Sequence, residues 1–203
     1  MELSKKIQTA NCYKFFAECF YYPEENQLKS IKNYAEYIPE NLSEIINYLG
    51  SKKDIQIDFS KLFIGPFKVL ASPYGSVYLE ESKTTHGDST IDVLKIYQKE
   101  NLNVDLKEPA DHIAIELEFM YYLITTEVDA INNSDFEKAE SYQSKQDSFI
   151  KRHLSQWIPE FTDSIIINAK SKFYKKMAIA LKLIIEEKLS KINAVLSSTE
   201  NFQ

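Results

Sequence analysis

The run Glu108-Pro109-Ala110-Asp111-His112 puts two carboxylates and an imidazole within one short stretch of chain. Carboxylate and imidazole together can exchange protons with a substrate, or can hold a basic ligand. Neighbouring residues on a helix point about 100° apart, so Asp111 and His112 make a poor catalytic dyad unless a third group joins them from elsewhere. On a helix begun at Pro109, Asp111 and Glu118 share a face, and His112, Glu116 and Phe119 form the line beside it. Read structurally, the same residues are an acidic first turn that complements the positive helix end, with a solvated His. Read functionally, they are an acidic, aromatic-edged patch for a basic ligand. A second segment, Ser72-Pro73-Tyr74-Gly75-Ser76-Val77-Tyr78-Leu79-Glu80-Glu81, offers Tyr74 and Tyr78 as ring faces, with Glu80 and Glu81 as charges. It suits either a surface loop that tucks Val77 and Tyr78 inward or one wall of a groove for an arginine-bearing peptide.

Other familiar chemistries have no residues to carry them. The chain contains no CxxC, no HExxH and no His pair at helical spacing, so no metal site is expected. The phosphate cradles GxxxxGK[ST] and GxGxxG are missing, as is the GxSxG elbow of serine hydrolases. Cys12 and Cys19 lie seven residues apart in a helical pattern, roughly 10 Å along the axis. A disulfide needs Cα atoms within about 7 Å, so these two cannot pair. They read as buried, inert thiols in a reducing compartment.

The elements that must position the two segments can be read from periodicity. Leu3 to Tyr22 is an amphipathic helix, through Ala10, Tyr13, Ala17 and Phe20 with Cys12, Phe16 and Cys19 alongside, and Pro23 stops it. Leu28, Ile31, Ala35 and Ile38 mark a second helix that ends at Pro39. Asn41 to Glu44 has capping-box spacing ahead of a short third helix closed by Gly50. Ile57 to Ile64 reads as a fourth, stopped by Gly65-Pro66. From Pro66 to Asp88 the helical period is lost, which marks a long loop of the kind that often carries function. Ser89 or Thr90 caps the next helix, through Val93, Leu94 and Tyr97. Asn101 to Lys107 connects it to a helix from Pro109 through Ile113, Leu117, Met120 and Ile124. Ser134 to Glu137 opens another, which runs to about Leu154 until Pro159 breaks the pattern. A last helix is expected from about Asp163 to Leu196, followed by a frayed tail over 197–203.

These readings give an all-α, single-domain helical bundle over residues 1–196, with Phe16, Phe20, Leu62, Leu117, Met120, Phe173 and Met177 in its core. Only four glycines and six prolines in 203 residues argue against an all-β sandwich. A net charge of −6 argues against a nucleic-acid partner and is compatible with a basic one. No apolar run approaches the ~20 residues a membrane span needs, and the first residues lack a signal-peptide pattern. A cytoplasmic protein without stable membrane insertion is the expectation.

Leu62-Phe63-Ile64-Gly65-Pro66, then Ser72 to Tyr78, then Glu108 to His112, resemble in that order the TorD/DmsD family of redox-enzyme maturation chaperones. Ile113-Ala114-Ile115-Glu116-Leu117-Glu118-Phe119-Met120 continues the third motif, and Phe149, His153, Leu154, Trp157, Pro159 and Phe161 match further on. Gly75-Ser76-Val77-Tyr78-Leu79 is most similar to the DmsD branch, although that branch usually has Trp where this chain has Tyr74. The resemblance covers roughly residues 10 to 190. It implies a chaperone that binds the twin-arginine signal peptide and apo-form of a molybdopterin-containing oxidoreductase, assists cofactor insertion and delays export. It implies no cofactor of the chaperone's own. Some members are suspected of binding guanine nucleotides, an implication that finds no phosphate loop here. The site it implies comprises Leu62, Phe63, Gly65, Pro66, Tyr74, Gly75, Tyr78, Glu80, Glu108, Pro109, Asp111 and His112. The carboxylates would meet the arginines, with Asp111 expected at the surface, and Leu62, Phe63, Tyr74 and Tyr78 would meet the apolar stretch. Two other readings stand beside this one: a small nucleotide-hydrolysing enzyme using Asp111 and His112, and a helical adaptor without peptide preference. A monomer or a dimer is compatible with the sequence, and the long loop would permit domain exchange.

Overall fold

The computed structural model describes residues 2–65, 68–81, 83–102 and 108–200. Pro66, expected in the site, lies outside them, as do residues 103–107 of the connection before Glu108. α1 (Glu2–Cys19) buries Ala10, Tyr13, Phe16, Ala17 and Cys19, and packs most extensively against α7 (Ile113–Asn132), the long central helix. Two part-buried ion pairs clamp this contact. Lys6 Nζ reaches Glu127 at 2.6 Å, and Lys14 Nζ reaches Glu118 at 2.6 Å while also holding Glu18. Cys12 and Cys19 are both buried and free.

α2 (Glu25–Ala35) covers one side of α1 with Ile31 and Ala35. A short α3 (Glu40–Ser43) runs directly into a 3-10 turn at Glu44–Tyr48 that rests on α10. The expected capping box there does not form; Pro39 opens α3 without a side-chain cap. α4 (Lys52–Phe59) begins five residues earlier than its apolar pattern suggests, because Ser51 Oγ accepts the Asp54 N–H at 3.2 Å. It passes into a π turn at Ser60–Ile64 and ends at Gly65, whose φ of 57° is a left-handed conformation suited to glycine.

Among its described residues the long loop contains a single helical turn, α5 (Ser76–Leu79), before α6 (Asp88–Lys99). α6 is capped from outside: Glu80 Oε1 accepts both the N–H and the Oγ–H of Ser89 at 2.8 Å. α8 (Phe136–Phe149) returns along α7, with Asp135 rather than Ser134 as its cap. A π turn (Ile150–Leu154) leads into α9 (Ser155–Asn168).

Pro159 lies inside α9 and does not break it. It sits one turn in, directly after the wider spacing of the π turn has shifted the hydrogen-bond ladder, where a missing N–H is tolerated. The break falls instead at Ala169, between α9 and α10 (Lys172–Glu200). The buried carboxylate of Asp58, on α4, accepts the N–H groups of Lys170 at 3.1 Å and Ser171 at 2.8 Å there. An anion from a distant helix thus starts α10. α10 runs to Glu200, through part of the tail expected to fray.

All seven residues expected in the core are buried. Its aromatic centre joins Phe59 to Phe63 at 4.9 Å between ring centroids, Phe63 to Tyr174 at 5.6 Å and Phe20 to Phe161 at 5.4 Å. Among the described residues the fold is all-helical, apart from one isolated antiparallel bridge between Tyr74 and His112. No described helix is long and apolar enough to cross a membrane.

Candidate functional site

The bridge at Tyr74 and His112 is where the two motif segments meet. The chain does not enter a helix at Pro109, as its sequence suggests; residues 109–112 form a turn closed by His112 N–H to the Pro109 carbonyl at 3.0 Å. The loop then pairs with this turn. Gly75 N–H donates to the Asp111 carbonyl at 3.0 Å, and Ile113 N–H donates to the Pro73 carbonyl at 2.8 Å. These long-range bonds hold the backbone extended at His112, so α7 begins only at Ile113. His112 becomes its N-cap, with Nδ1 accepting the Ala114 N–H at 3.2 Å.

Asp111 departs most from expectation. It is 1% exposed, not a surface acid. Its Oδ2 accepts the backbone N–H of Ser76 at 2.7 Å, at the first turn of α5. Within the described residues its Oδ1 has no hydrogen-bond partner, and neither does the buried Ser76 hydroxyl. His112 is also buried, and desolvation lowers its pKa from 6.5 to about 4 against the pull of Glu108 and Asp111. A buried Asp bonded to a backbone amide and a neutral His used as a cap do not compose a proton-transfer pair.

The surface above this junction is formed by Tyr74 and Glu108. The Tyr74 hydroxyl donates to Glu108 Oε2 at 2.7 Å, and its ring meets His112 edge-to-face at 5.3 Å. Glu108 is exposed, as is Glu81, while Glu80 is engaged in capping α6. Burial and the Glu108 bond raise the Tyr74 pKa, so the hydroxyl stays a donor. Pro109 is half-buried at the edge of this surface.

Beneath it two residues from separate sequence motifs, Glu116 and Trp157, meet. The Trp157 indole N–H donates to Glu116 Oε2 at 3.1 Å, and both residues are almost fully buried. Desolvation raises the Glu116 pKa well above 4.5, in spite of the indole bond. Tyr78 stacks on Trp157 with centroids 5.6 Å apart. Gly75 lies so close to the indole that an added Cβ would stand 3.1 Å from Nε1, which explains the glycine by close approach and not by an unusual φ. The sequence marks Glu116 beside His112 and Trp157 among the aromatic positions further on, but local spacing carries no sign that the two meet.

Leu62 and Phe63 are buried in the core, at 0% and 6% exposure, and do not line a surface. Their motif presents Ile64 outward instead, at 56% exposure. Ile64 and Gly65 line a shallow depression with Tyr22 and Ile57, rimmed by Lys53 and Lys61. The sequence pattern merged Ile64 with its buried neighbours because a π turn shifts the face each residue occupies. Phe63 still communicates with the junction, since Phe161 contacts both Phe63 and Tyr78, at 6.2 Å and 6.0 Å.

Comparison with known proteins fits this arrangement. The family model described as "Nitrate reductase delta subunit" matches residues 30–163, which include both meeting segments and Trp157. The chain belongs to this family, the TorD/DmsD group of redox enzyme maturation chaperones. It is 34% identical over 139 residues to the chaperone protein TorD of Aliivibrio fischeri, a match covering 66% of this chain and 63% of that protein. To TorD of Vibrio atlanticus it is 36% identical over 128 residues, covering 60% and 58%. The matched part thus spans about three fifths of these curated relatives. The crystal structure of a candidate redox enzyme maturation protein from Archaeoglobus fulgidus superposes with a TM-score of 0.63 at 29% identity, covering 87% of this chain and 93% of that one. The relatives bear the TorD name, which corrects the sequence reading towards the DmsD branch. Tyr74 is consistent with the correction: a Trp there could not place a hydroxyl on Glu108.

Proposed function

We propose that this chain is a cytoplasmic TorD-type chaperone that binds the twin-arginine signal peptide and the apo-form of a molybdopterin-containing oxidoreductase, assists cofactor insertion and delays export. The observation that carries the reading is the Tyr74–Glu108 pair, mounted on the joined motifs: an exposed carboxylate beside a ring face, the chemistry a guanidinium seeks. Family membership and the TorD relatives support the client class. Glu108 and Glu81 would meet the arginines. Tyr74 and the exposed edge of Tyr78 would flank them, and the Tyr22–Ile57–Ile64 depression would take the apolar stretch that follows. Gly75, Pro109, Asp111 and His112 would act from below by holding the junction together, Glu80 would fix the loop onto α6, and Leu62 and Phe63 would support it from the core.

The hydrolase reading finds less support, because Asp111 and His112 are occupied with Ser76 and Ala114. Calorimetric titration of a synthetic twin-arginine signal peptide, against the same peptide with both arginines replaced by glutamine, tests the proposal. Micromolar or tighter binding that depends on the arginines is expected; equal binding of the two peptides would overturn it.

A further inference from the structure

The acidic character of the chain is not uniform, and one exception is a groove that shares no residue with the joined motifs. Between α8 with its following π turn and the end of α10 runs an open trough of about 830 Å³. Among the described residues it is lined by Lys151, Arg152, Lys188 and Lys191, with Asp147 as the one carboxylate, over apolar Ile192 and Val195. Four cations against one acid is the reverse of a chain whose net charge is −6. The acids that answer them are weak partners. Lys191 pairs with Glu187 one turn away on the exposed surface, and Arg152 stands 3.8 Å from Asp92. Lys188 holds Asp147 at 2.9 Å, and Lys151 has no ion pair among the described residues.

Lys188 and Lys191 also form the lip of a second, deeper cavity of about 370 Å³, where α1, α7, α8 and α10 converge. Met120, Ile124, Leu42 and Ile184 give it apolar walls. Tyr13, 2% exposed, lines it without a hydrogen bond to its hydroxyl among the described residues. Its polar side includes Gln146, whose Nε2 donates to Glu127 at 2.9 Å, and its two lining carboxylates are each held by a lysine, Glu127 by Lys6 and Glu187 by Lys191. Trough and cavity share Gln143, Lys188 and Lys191 and so form a paired depression with a common rim.

We infer that this depression docks an acidic amphipathic segment of a partner protein, its carboxylates along the lysine-lined trough and one large apolar or aromatic side chain inserted in the cavity. The charge order selects an acidic ligand. The concavity selects a peptide over a lipid surface, since a bilayer cannot enter a pocket and a side chain can. The unpartnered phenol of Tyr13 would give an inserted Trp or Tyr a polar contact. The site is independent of the twin-arginine reading.

The probe is a fluorescein-labelled synthetic helix with Leu and Trp on one face and Glu on the other, compared with its twin in which every Glu is Lys. The full chain should bind the acidic helix at least tenfold more tightly than the basic one. K151E/R152E changes two exposed side chains and should weaken the acidic helix about tenfold, while leaving twin-arginine peptide binding unchanged. T9W, at the exposed lip of the cavity, should weaken it several-fold by occupying the space of the inserted side chain. Equal binding of the two helices, or indifference of the acidic helix to K151E/R152E or to T9W, would overturn the inference. So would K151E/R152E-sensitive binding to vesicles of phosphatidylglycerol and phosphatidylcholine with no acidic-helix binding, which would assign the trough to membranes.

Discussion

The buried carboxylate of Asp111 and the backbone N–H of Ser76 lie 2.7 Å apart, joining positions 35 residues distant in the chain. Around that bond, one loop and one turn share two further main-chain hydrogen bonds and an edge-to-face ring contact. The relationship changes what Asp111 is for. A carboxylate at 1% exposure cannot meet an incoming guanidinium without the loop opening, but it can decide whether the loop holds its place under Tyr74 and Glu108.

Asp111→Ala should therefore destabilise the fold. A hydrogen bond to a charged acceptor contributes about 1.5–3 kcal/mol, and its removal leaves a buried N–H unpaired. A loss of ~2 kcal/mol in urea denaturation is expected. Asp111→Asn, which keeps an acceptor oxygen, should lose less than half of that. An unchanged denaturation midpoint for Asp111→Ala would show that the bond holds nothing, and would return the residue to the list of direct ligand contacts.

Glu108→Gln should act the other way, on binding and not on stability. Glu108 is exposed, and exposed ion pairs contribute less than about 1 kcal/mol, so a loss of up to about fivefold in twin-arginine peptide affinity is expected at low salt. The difference from wild type should shrink as salt rises, because screening acts on exposed charges over about 8 Å at physiological strength. Titration of both proteins at two ionic strengths measures this. A difference that does not change with salt would rule out a charge contact.

Glu116 gives a pH dependence of definite sign. Burial raises its folded pKa well above the unfolded value of 4.5. Between those two values the folded state holds the proton that the unfolded state has lost, so stability falls as pH rises above about 4.5. Glu116→Gln retains an acceptor for the Trp157 indole and cannot ionise. It should be more stable than wild type at neutral pH, and its thermal midpoint should not share that decline. Parallel pH profiles for the two proteins would mean that Glu116 is already satisfied as an anion.

The bundle and its core were legible in the sequence because they rest on local periodicity: Phe16, Leu117, Met120 and Met177 announce buried faces whatever else the chain does. The family resemblance placed the two motifs in one site, and the structure joins them at Tyr74 and His112. What local pattern could not carry were effects of distant partners. Pro109 looks like a helix start, but the bonds to Pro73 and Asp111 pull residues 109–112 into a turn. Asp111 looks like a first-turn surface acid and is instead covered by a loop that precedes it by 35 residues. Pro159 looks like a stop, yet Asp58, 112 residues before Lys170, sets the real boundary. Leu62 suited both core and groove by type, and only packing on neighbouring helices separates the two.

His112 supplies the complementary test at acid pH. Its pKa falls from 6.5 to about 4 in the folded chain, chiefly because burial removes the charged ring from water. A group whose folded pKa is lowered in this way favours the unfolded state as soon as the unfolded chain takes up the proton. Stability should therefore fall as pH drops from about 6.5 to about 4, by on the order of 3 kcal/mol at 1.36 kcal/mol per pKa unit. This loss runs opposite to that of Glu116, so the two oppose each other where their ranges overlap, between about pH 4.5 and 6.5, and single variants are needed to separate them. His112→Asn is the informative change, since Asn can still cap α7 by accepting the Ala114 N–H. The lost ring contact with Tyr74 should cost a constant amount at every pH. The slope is the readout: the variant should lose markedly less stability than wild type between pH 6.5 and pH 4 in denaturant titrations. Equal slopes would mean that the ring is protonated in the folded protein, and that the junction opens to water in solution more than its burial allows.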